Sequence, residues 1–117
     1  MKPGCTIIGN IYGRPEKRAA LLALLQTFIV PTRQEPGCIE YQFHVSAEDP
    51  NHFMFYENWQ SRDVLAQHLA MSYLQPMIER EHELLARPVH IVHFEMLAPL
   101  QTVHSTDVAD GTNRVER

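Results

Sequence analysis

"CIEYQFHVSAEDPNHFMFYENW", residues 38–59, decides the fold of this chain. Both ends of the stretch alternate with a period of two, which puts successive side chains on opposite faces of a strand. In the first half, Ile39, Tyr41, Phe43 and Val45 share one side, and Glu40, Gln42 and His44 share the other. In the second half, Phe53, Phe55, Glu57 and Trp59 oppose Met54, Tyr56 and Asn58. Between them "SAEDPN" is turn chemistry, rich in residues that bend the backbone or bond to it locally. The stretch reads as a β-hairpin closed by a loop of about six residues.

The hairpin is flanked by helical patterns and further strands. Upstream, "CTIIGNIYG" at 5–13 is rich in β-branched residues and reads as a strand. In "RPEKRAALLALLQTFIVPTRQ", Pro15 suits a first helical turn, and Leu21, Leu24, Leu25 and Phe28 form one helical face. Pro31 is expected to kink or end that helix, and "EPG" at 35–37 to stop it. Downstream, Ser61 is a natural N-cap with Asp63 in the first turn, and Val64, Leu65, His68 and Leu69 share a face. The helical region breaks near residues 70 to 72 and restarts at "SYLQPM", where Ser72 and Gln75 have capping-box spacing. Leu74, Met77, Ile78, Leu84 and Leu85 supply the apolar side of this second part. "PVHIVHFEML" at 88–97 is a last strand.

The order β-α-β-β-α-β predicts an α+β, ferredoxin-like domain over residues 1–98, a four-stranded antiparallel sheet with its helices on one face. In that order the strand holding Cys5 is central and the strand holding Cys38 is an edge, so the two cysteines form no disulfide. The second face of the sheet also carries apolar residues, such as Met54, Tyr56, Val92 and Phe94, with no spare helix to cover it. A second subunit is the economical cover, which predicts a homodimer joined sheet to sheet. The tail 99–117 is polar and aperiodic, so it has no core of its own and a neighbouring subunit would have to hold it.

Bulk properties exclude several function classes. The chain has 117 residues, consistent with one domain, and a formal charge of −4, which disfavours a nucleic-acid surface. No apolar run is long enough to span a membrane, and the opening residues do not read as a signal peptide. With two cysteines and no metal-ligand spacing, the expected compartment is the cytoplasm. His90 and His93 are three apart on a strand and face opposite sides, so they cannot chelate one ion together. There is no Gly-rich phosphate loop.

"EPGC…Y", then "DPN.F.FYE.W.S...L..H", then a further helix, is a linked run within residues 35–75. It resembles the antibiotic biosynthesis monooxygenase (ABM) domain, and within it the small bacterial quinol monooxygenase-like proteins. The resemblance extends over residues 6 to about 97. It implies a ferredoxin-like domain paired into a dimeric α/β-barrel-like assembly, and cofactor-independent oxygenation of a small aromatic substrate by O2. In such chemistry a deprotonated phenol or quinol itself reduces O2. The protein then supplies an apolar pocket, a proton acceptor and donors for a developing oxyanion.

The residues that fit these roles are His68 as base and Glu57 as its partner, with Trp59 and Phe55 walling a ring, Tyr41 donating a hydrogen bond and Asn10 holding an oxyanion. Each also has a plain structural reading: Trp59 and Tyr41 as core aromatics, Glu57 as a fixture of a strand end, His68 as a satisfied core histidine. Haem-degrading relatives use a histidine in the last-helix region; here the only one there, His82, lies too far along. Two other functions fit the same fold: an isomerase of a small oxygenated metabolite, in which His68 and Glu57 shuttle a proton without O2, and a non-catalytic binding or dimerisation module.

Overall fold

The computed structural model describes residues 3–98; the proposed tail, 99–117, lies outside the described residues. The strands are β1 (Cys5–Tyr12), β2 (Cys38–Val45), β3 (His52–Trp59) and β4 (His90–Glu95). They form one antiparallel sheet in the order β2-β3-β1-β4. The hairpin has the bounds its alternation predicts, and β1 and β4 occupy the places expected of the split βαβ pattern. Cys5 and Cys38 sit on either side of Trp59 across β3, and both are free thiols.

Helices cover one face. A 3-10 turn (Pro15–Lys17) leads into α1 (Arg18–Gln26), and α2 (Ile29–Arg33) follows. Pro31 has no amide hydrogen for the Thr27 carbonyl, and the helix breaks there: the amides of Thr27 and Phe28 bond three residues back, to Leu24 and Leu25. After the hairpin, α3 (Arg62–Leu69) starts at Ser61, whose hydroxyl accepts from the Val64 amide. A second 3-10 turn (Ser72–Leu74), α4 (Gln75–Glu79) and α5 (Glu81–Leu84) complete the layer. The break at Ala70 is as the sequence predicts, but Ser72 makes no capping bond: Met71 holds the N-cap place, and Ser72 opens the 3-10 turn.

Sheet and helices bury two apolar clusters. Ile11, Leu21, Leu25, Phe28, Tyr41, Phe53, Phe55, Leu84 and Leu85 make the larger, and Cys5, Ile7, Trp59 and Leu65 the smaller. Truncating a fully buried leucine such as Leu25 to alanine would cost about 2–5 kcal/mol. Two apolar residues expected on the Tyr41 side of β2, Ile39 and Val45, are exposed. A bulge between Cys38 and Glu40 adds an unpaired residue to β2, so Ile39 is exposed while Tyr41 pairs with Glu57 and points to the core. Gly37, just before the bulge, lets α3 come close: a Cβ there would sit 2.5 Å from Val64 Cβ. That approach sets the height of α3, and of His68, above the sheet.

Candidate active site

Between the helices and the sheet lies a cavity of about 330 Å³. That is the lower range of small-molecule pockets. Its floor is Ile7, Gly9 and Ile11 of β1, Phe55 and Glu57 of β3, and Tyr41 of β2; its roof is His68 and Leu69 of α3, then Leu74, Met77 and Ile78. The mouth is formed by Leu69, Ile78 and Ile91, all more than 40% exposed although apolar. Among the described residues that line it, the only charged or titratable ones are Tyr41, Glu57, His68 and Glu81, and none is Lys or Arg.

The deep end holds the polar groups. Leu65 and His68 are the buried residues of α3, and His68 is only 3% exposed. Its Nδ1 lies 2.8 Å from Glu35 Oε2. Its Nε2 faces Glu57 Oε1 at 3.9 Å, too far for a hydrogen bond, and has no hydrogen-bonded neighbour among the described residues. The indole of Trp59 lies against the imidazole, with ring centroids 4.6 Å apart, and its Nε1–H donates to Glu57 Oε1 at 3.0 Å. Burial pushes the Glu57 carboxyl up to about 7, assisted by the Glu35 charge and opposed by the Trp59 bond. Burial, and then the Glu57 charge, hold the Tyr41 phenol well above its ordinary value, so Tyr41 remains a donor.

The structure therefore brings His68, Glu57, Tyr41 and Phe55 together around one cavity. Trp59 stands behind them: fully buried, it does not line the cavity but holds Glu57. Asn10 is not part of the constellation. It alternates with Ile11 onto the opposite face of the sheet, where its Oδ1 lies 2.9 Å from His52 Nε2. The deep end also contains groups that sequence reasoning missed. Glu35, in the turn before β2, holds Nδ1 of His68, and Tyr73, in the turn before α4, donates to the same Glu35 oxygen and lies 2.9 Å from Thr32 Oγ1. Among the described residues, no group of three or more His, Cys, Asp or Glu is arranged to hold a metal ion.

The element order, the sheet and the one-sided helical layer define a ferredoxin-like α+β protein with a ligand-sized cavity between its layers. Residues 5–80 match the family model described as antibiotic biosynthesis monooxygenase, and the chain belongs to that ABM family. It is 39% identical over 97 residues to the Synechocystis protein "Uncharacterized protein sll1783", covering 83% of this chain and 65% of the relative. This chain thus spans less than two thirds of that relative's length. It is 37% identical over 94 residues to "Putative monooxygenase Rv0793" of Mycobacterium tuberculosis, covering 80% of this chain and 89% of the relative. The solved structure of Rv0793 superposes with a TM-score of 0.73, over 86% of this chain and 99% of that one, at 34% identity. That of PA3566 from Pseudomonas aeruginosa gives 0.77 over 84% and 98%, at 28% identity.

Proposed function

We propose that this chain is a monooxygenase that oxidises an uncharged quinol-like or polyphenolic compound with O2, using the substrate's own electrons and no bound cofactor. The observation that carries the reading is that His68 Nε2 is buried and without a hydrogen-bonded neighbour among the described residues, facing Glu57 across 3.9 Å at the deep end of an apolar cavity. A ring hydroxyl placed in that gap meets an imidazole nitrogen positioned to take its proton. The cavity wall carries carboxyl groups and, among the described residues, no cation, so it favours a neutral arene over an aromatic acid. Membership of the ABM family, and the monooxygenase name of a relative, agree with this chemistry.

The sequence of events follows from the geometry. His68 Nε2 takes a hydroxyl proton, and the resulting phenolate passes electrons to O2 and forms a carbon–oxygen bond at a ring carbon. The oxygen–oxygen bond of the hydroperoxide then breaks. One oxygen atom stays on the ring, and the other leaves as water with the proton held by His68 and the hydrogen displaced from the ring carbon. All four electrons taken up by O2 come from the quinol, which ends as a hydroxyquinone. Tyr41 O–H, on the cavity floor and hydrogen-bonded to Thr32, is the donor that can turn to the developing oxyanion. Glu57, with its carboxyl held near neutrality, stores or returns a proton at the same end.

The working unit is a homodimer. Among the described residues, no helix covers the outer sheet face, where Ile8, Met54, Tyr56 and Val92 lie and Phe94 is 48% exposed. Pairing two such faces would hide this apolar surface.

Oxygen-electrode measurements with a panel of substituted hydroquinones test the activity. Uptake with at least one neutral quinol is expected, falling by about 10²-fold or more in His68→Ala, the low end of general-base contributions. Absence of uptake with every quinol by the folded protein would refute the proposal.

A further inference from the structure

A carboxylate behind a histidine decides which ring nitrogen is free, and this one has a carboxylate behind it that the cavity never touches. Glu35 Oε2 lies 2.8 Å from His68 Nδ1, and Glu35 is not part of the cavity wall. Glu35 is itself held. Tyr73 O–H donates to the same oxygen at 2.5 Å, and Thr32 Oγ1, fully buried, lies 2.9 Å from the Tyr73 hydroxyl. The Tyr73 oxygen is also 3.3 Å from Nδ1. Burial and the bond to Glu35 keep the Tyr73 phenol above its ordinary value, so it holds its proton and donates. Its one proton goes to Glu35, which leaves the Thr32 hydroxyl to donate to the Tyr73 oxygen. The arrangement consistent with these contacts is Thr32 to Tyr73, Tyr73 to Glu35, and His68 Nδ1–H to Glu35, with the Tyr41 hydroxyl also bonded to Thr32.

From this network we infer that Glu35 is a positioning residue: it fixes His68 in the Nδ1–H tautomer and thereby leaves Nε2 bare toward the cavity. An unheld imidazole has both tautomers available, and the Nε2–H form cannot accept a proton from a ring hydroxyl. Thr32 and Glu35 lie three residues apart at the end of α2 and Tyr73 in the turn between α3 and α4, so the network also ties that turn to the turn before β2. The catalytic role that this tautomer serves rests on the proposed function; the tautomer itself does not.

The test is the protonation of His68 in protein labelled with nitrogen-15 at histidine, read by two-bond proton–nitrogen correlation at neutral to mildly alkaline pH. His68 is assigned by its loss from the His68→Ala spectrum. The expected wild-type pattern is a protonated Nδ1 and a bare Nε2. A protonated Nε2 with a bare Nδ1 would overturn the inference, and this measurement requires no Glu35 variant to fold.

Glu35→Gln keeps a carbonyl acceptor and should keep the tautomer. Glu35→Leu combined with Tyr73→Phe removes both acceptors and should give a mixture, with kcat for quinol oxidation lowered a few-fold, in proportion to the Nδ1–H fraction lost, and KM little changed. A variant of this pair that retains only the Nδ1–H form would also overturn the assignment. If wild-type protein consumes no O2 yet shows the expected tautomer, the function is wrong and the positioning stands; oxygen uptake with the opposite tautomer gives the reverse result.

Discussion

Glu57→Gln should make the protein more stable at alkaline pH, although it removes a side chain of the proposed active site. The Glu57 carboxyl rises from an ordinary value of 4.5 to about 7 because burial disfavours its charge. The folded chain therefore binds more protons than the unfolded chain between those two pH values. Stability falls as pH rises from about 4.5, and the loss is complete above about 7. At about 1.36 kcal/mol per pH unit, ionising this buried carboxyl costs the fold on the order of 3 kcal/mol. A glutamine carbonyl still accepts from Trp59 Nε1–H, so the variant removes the charge without orphaning the indole. Urea unfolding of both proteins at a fixed protein concentration, from pH 5 to 8, measures the effect. At pH 8 the variant should be more stable by up to about 3 kcal/mol, and the gap should close towards pH 5. Parallel stability curves over the whole range would refute the burial argument.

Two further outcomes follow from the packing. Gly37→Ala places a methyl group within 2.5–2.8 Å of three Val64 side-chain carbons, so α3 must lift; a loss of about 1–3 kcal/mol is expected in a melting experiment, together with reduced turnover as His68 leaves Glu35. Sedimentation at micromolar concentration should give twice the chain mass, and Phe94→Asp, on the exposed outer face of β4, should shift the protein towards monomer; a wild-type monomer would remove the argument from the uncovered sheet face.

The strands and the helix breaks were legible because single residues decide them. Alternation sets β2 and β3 to the residue, Pro31 interrupts the first helix, and Ser61 begins the third. Side-chain direction was less legible where local pattern gives no warning. Ile39 belongs to the alternation of its strand by sequence, yet a bulge, which no residue type there demands, turns it out. Asn10 lies on a strand with apolar residues at both parities, so its face is fixed only by pairing with β3 and β4. The cavity's polar end was half legible. His68 and Glu57 stand out as polar residues at buried positions of regular elements. Glu35 and Tyr73 come from turns, where a charge or hydroxyl ordinarily faces water. They meet His68 only because Gly37 lets α3 settle against the start of β2.

The central claim, that the substrate's own electrons reduce O2 once His68 has taken a proton, is tested most directly by turnover under heavy-isotope O2. The purified protein, stripped of metals by chelation, is supplied with a neutral hydroquinone that supports uptake. The account predicts one labelled oxygen atom in the product and the other in water, one O2 consumed per quinol, and a rate about 10²-fold lower in a folded His68→Ala protein. An unlabelled product, or full activity in that variant, would contradict it.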